Sequence, residues 1–235
     1  MSCAGVDGCR GGWIAASLKD GMVHFEVFET VSNLLACCTG DVLIDMPIGL
    51  PDGQRGIEAS LRPLLGRRAS SLFAIPCRDA VFATDYRSAC DINETVTGRR
   101  FAIQSWHICR KIAELDHAMN PALQARVHEC HPEIAFAGVA GSPIADKKRT
   151  AKGRSVRLAL LAPLLPGLAD AMDRAAHRYR RSEVALDDCL DAAVLLAVAE
   201  TGYQLFSLGE TDRRGLKVEM ALPIGLVPPA GLSGR

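Results

Sequence analysis

The chain has 235 residues, of which 49% are hydrophobic, and its 27 basic side chains balance 27 acidic ones. This length and hydrophobic content are sufficient for one domain with a sizeable core. The balanced charge excludes a strong overall field that would attract nucleic acid, so a phosphate contact requires a local basic patch.

The nine cysteines are irregularly spaced and predict reduced thiols in a cytoplasmic protein. No basic segment followed by an apolar stretch occurs at the N-terminus, so we expect no signal peptide. The longest apolar stretch, residues 189–199, contains Asp191 and is too short to cross a bilayer. We therefore expect no membrane contact.

The first 50 residues predict three antiparallel strands, a short helix and a fourth, buried strand. The apolar runs place these strands at residues 3–8, 11–18 and 22–28 and within residues 41–51. Lys19–Gly21, with the sequence KDG, has the composition of a hairpin turn. Ser32 is predicted near the N-cap of the helix.

The rest of the chain predicts an insertion and then helices around one more strand. Residues 52–100 are rich in Arg, Gly and Pro, which favours irregular structure. The later elements are predicted as a helix at residues 101–119, a strand from 125 that runs into a turn at Pro132, a helix after the basic segment 146–154 and a long helix at 183–204.

The order of these elements predicts an α/β fold in a single domain over residues 1–235, with an insertion at about 52–120. Its mixed five-stranded sheet has three antiparallel strands followed by parallel strands, with helices on both faces. Right-handed crossovers place the fourth strand beside the first and parallel to it. The ends of these strands then face one cleft.

Acidic residues occur at several places where fold formation does not require them. They follow or end two strands, lie in the segment VHECHPE and share one face of the last helix, as Asp7, Asp45, Glu129, Asp188 and Asp191. A turn residue or a helix cap explains any one of these acids. Their joint occurrence on elements that meet at one cleft favours a functional site.

Carboxylates brought together in this way repel one another, and burial increases the cost. Mg²⁺ or Mn²⁺ relieves it, because these hard cations take carboxylate oxygens as ligands and keep water for a substrate phosphate. Two such ions about 3.5–4 Å apart can hold the attacking water and the leaving oxygen of a phosphodiester. The acids therefore predict an acidic two-metal site.

Five segments of the chain resemble, in the same order, a family of predicted ribonuclease H-like nucleases. These segments are GVDGCRGGW (residues 5–13), LIDMPIGLP (43–51), SLFAIPCR (71–78), ECHPEIAF (129–136) and DDCLDA (187–192). The resemblance covers nearly the whole chain and implies the ribonuclease H-like fold. It also implies that Asp7, Asp45 and Asp191 bind metal and that Asp188 or Glu129 completes the set.

Within this fold, the chain is similar to the RuvC-type resolvases, whose acids lie on the first strand, the fourth strand and the last helix. The place of Glu129, at the end of the fifth strand, resembles that in the YqgF-type relatives. Ribonuclease H itself uses a glutamate on its first helix, and Thr30–Gly40 contains none. The resemblance therefore does not extend to the strict ribonuclease H mechanism.

Two basic residues are expected to contact phosphate: Arg78, at the end of the resembling segment 71–78, and Lys148, in the basic segment 146–154. Most other charges of the segment 146–154 are typical of a solvated loop. Cys130 is typical of a core thiol. Its neighbour His131 either adjoins the metal site and moves a proton or has a structural role.

These observations predict a divalent-metal-dependent nuclease or phosphodiesterase that acts on a nucleic acid or a nucleotide. One alternative is a non-catalytic module of the same fold that binds nucleic acid or protein, which the neutral net charge favours. Another is a nucleotide-dependent phosphotransferase, because DGCRGG (residues 7–12) is similar to the first hairpin of actin-like kinases. The sequence does not decide between DNA and RNA or between endo and exo cleavage. It also leaves the oligomeric state open, and a dimer is compatible with it.

Overall fold

The structure, a computed structural model, describes residues 1–228. The strands are β1 (Ala4–Cys9), β2 (Gly12–Lys19), β3 (Met22–Phe28), β4 (Val42–Ile44), β5 (Val127–Glu129), β6 (Tyr203–Thr211) and β7 (Lys217–Pro223). The α-helices are α1 (Val31–Cys37), α2 (Ile57–Leu61), α3 (Arg78–Val81), α4 (Tyr86–Thr97), α5 (Ile103–Ala118), α6 (Pro132–Ala140), α7 (Ala151–Leu161), α8 (Leu168–Arg178) and α9 (Leu186–Thr201). Two segments, Arg62–Ser71 and Leu123–Ala125, are 3₁₀-helical.

The strands form one mixed sheet with the order β3-β2-β1-β4-β5-β7-β6. The first three strands pair antiparallel, and β4 lies parallel to β1 with Val6 opposite Ile44. β5 is in turn parallel to β4. The predicted strands are thus present with their predicted directions, in an α/β arrangement consistent with the ribonuclease H-like fold. At the predicted hairpin turn, Asp20 and Gly21 have positive φ angles of 52° and 75°.

The sheet extends beyond the predicted five strands by two more. β7 joins β5 in parallel, with Glu129 opposite Met220, and β6 pairs antiparallel with β7. β6 begins directly after Gly202, whereas the sequence extends the last helix to Gln204. β7 is buried at almost every residue. Its positions therefore do not alternate between buried and exposed, and this alternation is the pattern by which a strand is recognised in a sequence.

Local signals in the chain decide several helix ends that the sequence prediction misses. Residues 52–100 are not irregular throughout, because α4 begins where Asp85 Oδ1 accepts a first-turn N–H at 3.0 Å and ends at Gly98, with φ of 72°. The N-cap of α1 is Thr30, two residues before Ser32, and Thr30 Oγ1 accepts a first-turn N–H at 3.2 Å. Pro132 does not form a turn but begins α6.

Helices cover both faces of the sheet and place the core between the layers. α9 packs on β1 and β2, is buried from Cys189 to Val198 and is surrounded by α6, α7 and α8. α1 and α5 cover the opposite face through Leu34, Ile112 and Leu115. Among residues 1–228, the helices are too short or too polar for any of them to cross a bilayer.

Candidate active site

A cleft of about 1200 Å³ opens at the carboxyl ends of β1 and β4. Asp7 lies near the end of β1 and Asp45 directly follows β4, where the Asp45 N–H donates to Val6 O at 2.9 Å. Strand pairing therefore places the two acids side by side. Asp7 lies two residues after Gly5, and Asp45 lies two residues after Leu43. Gly5 and Leu43 both face α9, so the side chains of the two acids project toward the same face of the sheet.

Helix α9 brings Asp191 to the same place. The helix approaches β1 closely because residue 5 is glycine: a β-carbon there would overlap the main chain of Ala192 and Leu196. Asp7 and Asp191 are buried and Asp45 is half-buried. The structure thus brings together the three predicted metal ligands from two strands and one helix.

Burial and mutual repulsion make these three carboxyls harder to ionise. Burial, reinforced by Asp45 and Asp191, raises the pKa of Asp7 well above its ordinary value. Burial and the charge of Asp191 raise the pKa of Asp45 to about 8. Burial raises the pKa of Asp191 to about 6, although a neighbouring lysine opposes it. These carboxyls therefore ionise only against the cost of burial and of their mutual repulsion, and a bound cation would reduce that cost.

That lysine is Lys148, whose ammonium donates a hydrogen bond to Asp191 Oδ2. Burial opposes its charge, but Asp191 and the nearby Asp7 and Asp45 raise the pKa of Lys148 above its ordinary value. The sequence places Lys148 at a substrate phosphate, whereas the structure places it against a carboxylate of the site. The reason is that the segment before α7 lies close enough to α9 for the Lys148 side chain to reach Asp191.

The three acids suit a hard divalent cation by their oxygen donors. As they stand, they are not a ready-made ligand group, since within residues 1–228 no three side chains of His, Cys, Asp or Glu are arranged to hold one ion. At Asp191, the hydrogen bond from Lys148 uses one of the carboxylate oxygens that an ion would need.

Asp188 and Glu129 line the same cleft but already have partners. Asp188 Oδ2 accepts the main-chain N–H of Ala185 at 2.9 Å. Glu129 Oε2 accepts from Ile48 N at 2.9 Å and from Arg55 Nη2 at 2.7 Å. Asp188 thus fixes the start of the helix that carries the third acid, and Glu129 fixes the loop that follows β4.

Arg78 does not line the cleft and lies in a buried ion-pair network. Its guanidinium is 2.7 Å from Asp116 and 2.6 Å from Asp212, and its Nε donates to Leu50 O at 3.0 Å. All three of its nitrogens are engaged within the protein. The predicted phosphate contact at Arg78 therefore has no support in its position, and its role here is to join α3 and α5 to the β6–β7 connection.

Replacement of Asp212 by asparagine tests this network through its pH dependence. Burial opposes ionisation of Asp212, but hydrogen bonds from Leu50 N, Leu216 N and Arg78 lower its pKa. Its contribution to stability is therefore complete above about pH 4 and is lost as the pH falls through the folded-state pKa. We expect Asp212→Asn to lose about 2 kcal/mol of unfolding free energy at neutral pH.

Urea titrations at neutral and acidic pH measure this loss. The difference between the variant and the wild type should shrink as the pH is lowered below 4, because the wild-type carboxylate becomes protonated. A difference that stays constant across this range would contradict the role of the Asp212 charge.

Helix α5, within the predicted insertion, forms one wall of the cleft and carries a basic residue that the sequence did not single out. Lys111 lies across Gly8, and its Nζ donates to Gly12 O at 2.6 Å. The same Nζ is 4.4 Å from the centre of the Trp13 ring. Lys111 and Gly12 are 99 positions apart, so no local pattern could have indicated this contact.

Cys130 and His131 follow β5 and have different surroundings. Cys130 is fully buried, as expected of a core thiol. His131 lines the cleft, and its Nε2 is 3.3 Å from Ser71 O. Burial lowers the pKa of His131 to about 4, so the ring is neutral at pH 7. The contact with Ser71 favours the structural alternative for His131.

Exposed side chains of both signs line the cleft, among them Glu29, Glu183 and the four arginines of an arginine rim. Four exposed arginines from four separate segments make up this rim, and in the described part of the chain none of them forms an ion pair: Arg10, Arg110, Arg149 and Arg181. A chain with no net charge therefore still places exposed arginines in the same cleft as the acids.

One of three comparisons with known proteins gives a family assignment. A search of curated proteins and a search of solved structures each found no significant match. A family model described as "Protein of unknown function (DUF429)" matches residues 5–212. The matched range includes β1, the loop of Lys148 and α9, and therefore every acid of the cleft. Because it covers most of the chain, the protein belongs to the DUF429 family.

Proposed function

We propose that this protein is a divalent-metal-dependent hydrolase of phosphodiester bonds that acts on a nucleic acid. The observation that carries the proposal is the meeting of Asp7, Asp45 and Asp191 at one end of the sheet, beside a large cleft. Carboxyls that share a buried place repel one another and reduce stability, and formation of the fold gives no reason for three of them to be there. Binding of a cation would give such a reason, because its positive charge offsets the repulsion.

Asp7, Asp45 and Asp191 would hold Mg²⁺ or Mn²⁺ through their carboxylate oxygens. Such an ion lowers the pKa of a bound water and stabilises negative charge on phosphoryl oxygens. Asp188 and Glu129 act as positioning residues, because their hydrogen bonds hold the start of α9 and the loop after β4. Placement of the ligands by rigid elements is what a metal site of this kind requires.

The arginine rim supports a nucleic acid as the substrate. Guanidinium groups bind phosphate oxygens with two parallel hydrogen bonds, and exposed arginines without an acidic partner are available for this. Their distribution over four segments around the cleft favours an extended polyanion over a single phosphate. The acids would then lie where a backbone phosphate reaches the floor of the cleft.

A substrate panel tests the proposed function. End-labelled single-stranded DNA, duplex DNA, single-stranded RNA and an RNA–DNA hybrid are incubated with the protein in Mg²⁺, in Mn²⁺ and in EDTA. We expect at least one of them to be cleaved in metal and none in EDTA. Asp45→Asn, purified in parallel, controls for a contaminating nuclease and should be inactive.

Three results would contradict the proposal. One is the absence of cleavage on the whole panel in either metal. Another is tight, metal-independent binding without cleavage, which would favour a binding module. The last is an increase in melting temperature with ATP and no cleavage, which would favour a nucleotide-dependent phosphotransferase.

A further inference from the structure

We propose that the ammonium group of Lys148 occupies one cation position of the acidic site, so that the substrate-free protein binds one divalent ion and not two. This inference rests on the proposed function, because it takes Asp7, Asp45 and Asp191 as the metal-binding acids. It differs from the two-metal site that the sequence predicts. It assigns to Lys148 the task of a built-in counter-ion.

The contact between Lys148 and Asp191 is partly shielded from solvent. Lys148 Nζ donates to Asp191 Oδ2, and the side chains are 31% and 3% exposed. A free surface lysine samples many rotamers, and fixing it in one direction costs conformational entropy. The buried, negatively charged partner offsets that cost.

The main chain on one side of Lys148 is anchored by a buried arginine. Arg157 is completely buried, and its Nη1 donates to Asp146 O at 2.9 Å. Its Nη2 binds both carboxylate oxygens of Glu133 at 2.9 Å, at the start of α6. The guanidinium also lies 5.0 Å from the centre of the Phe136 ring. This anchor ties the residue before Lys147 to the protein interior.

The start of α7 anchors the other side of the same segment. Thr150 N and Thr150 Oγ1 both donate to Lys147 O, at 3.0 and 2.8 Å, and Thr150 Oγ1 accepts from Gly153 N at 3.0 Å. Residue 153 must be glycine here, since a β-carbon would overlap Lys147 O. The carbonyls of Asp146 and Lys147 before Lys148 are therefore held, and that of Arg149 after it accepts from Arg154 Nη1 at 2.9 Å. These contacts make the position of the Lys148 main chain a property of the fold.

The charges around the site are consistent with one divalent ion. Among the nearby acids, Glu129 pairs with Arg55, which it shares with Glu58, and Glu133 pairs with Arg157. Asp188 accepts the main-chain N–H of Ala185. The three ligands carry three negative charges when ionised, and Lys148 neutralises one of them. One divalent cation neutralises the remaining two, whereas a second would leave excess positive charge in a partly buried place.

Mn²⁺ binding to the substrate-free protein tests this inference without any measurement of cleavage. Isothermal titration calorimetry gives the number of bound ions, and electron paramagnetic resonance shows whether two bound ions are magnetically coupled. We expect one ion in the wild type and in Lys148→Arg, which keeps the charge. In Lys148→Met we expect a second ion with a coupled signal. Lys147→Met, an exposed neighbour, is the matched control and should bind one ion.

Other outcomes of the titration would overturn one proposal or both. Two ions in the wild type, or a single ion in Lys148→Met, overturns the role of Lys148 and leaves the proposed metal-dependent hydrolysis standing. A failure of every variant to bind Mn²⁺ overturns both proposals. Circular dichroism of Lys148→Met establishes that the variant is folded before its stoichiometry is compared.

Discussion

Replacement of Asp7 by asparagine is expected to abolish the proposed cleavage while making the metal-free protein more stable. Asparagine keeps the size of the side chain and can keep the hydrogen bond from Gly8 N to Oδ1, which is 2.7 Å long. It removes an ionisable carboxyl whose pKa is raised by burial and by the neighbouring Asp45 and Asp191. A residue with a purely structural role would show the opposite sign, because its replacement would lower stability.

We expect cleavage by Asp7→Asn to fall by about 100-fold or more, since the cation that would stabilise the reacting phosphate loses a carboxylate ligand. In EDTA, relief of the repulsion should raise the unfolding free energy by about 1–2 kcal/mol. For a domain of this size that corresponds to a rise in Tm of roughly 2–8 °C. Asp173→Asn, at an exposed position on α8, is the control and should change neither quantity. Lower stability together with full activity would refute the place of Asp7 in the site.

Replacement of Gly5 by alanine is expected to reduce both stability and activity. The β-carbon would overlap main-chain atoms of Ala192 and Leu196, and a helix main chain cannot move aside as a flexible side chain can. Displacement of α9 also carries Asp188 and Asp191 away from the acids on β1 and β4. We expect a loss of about 3 kcal/mol, or a fall in Tm of roughly 6–12 °C.

Gly53→Ala is the matched control for this substitution. No atom lies within 4 Å of a β-carbon at Gly53, and its φ angle is not in the left-handed region. Its stability should therefore stay close to that of the wild type. Thermal unfolding of both variants, followed by circular dichroism, measures the difference, and equal Tm values for Gly5→Ala and Gly53→Ala would mean that α9 does not depend on this close approach.

The sequence contains enough information to predict the first part of the sheet and the meeting of the acids. Alternating apolar residues and the KDG turn specify the first hairpins through local periodicity. Asp7 and Asp45 follow apolar runs, and the connection between their strands has only one favoured handedness, so their ends must be neighbours. Asp191 follows from the apolar face of a long helix that has to cover that sheet.

Other features depend on contacts between residues far apart in the chain. β7 pairs with β5 across about 90 positions, as Glu129 and Met220 show, and a fully buried strand carries no alternating pattern. Glu129 pairs with Arg55, which is 74 positions away. The local sequence around Glu129 and around Arg55 does not distinguish these residues from charged residues on the surface.

The basic residues show most clearly where the sequence stops being informative. The sequence predicts that both Arg78 and Lys148 contact phosphate. The residues around a basic side chain do not indicate which anion it will bind. In the folded protein, Arg78 pairs with Asp116 and Asp212, and Lys148 pairs with Asp191. A side chain's type sets the sign of its charge and its reach. Its partner depends on which elements pack together, because Coulomb interactions act over a few ångströms in space and without regard to distance along the chain.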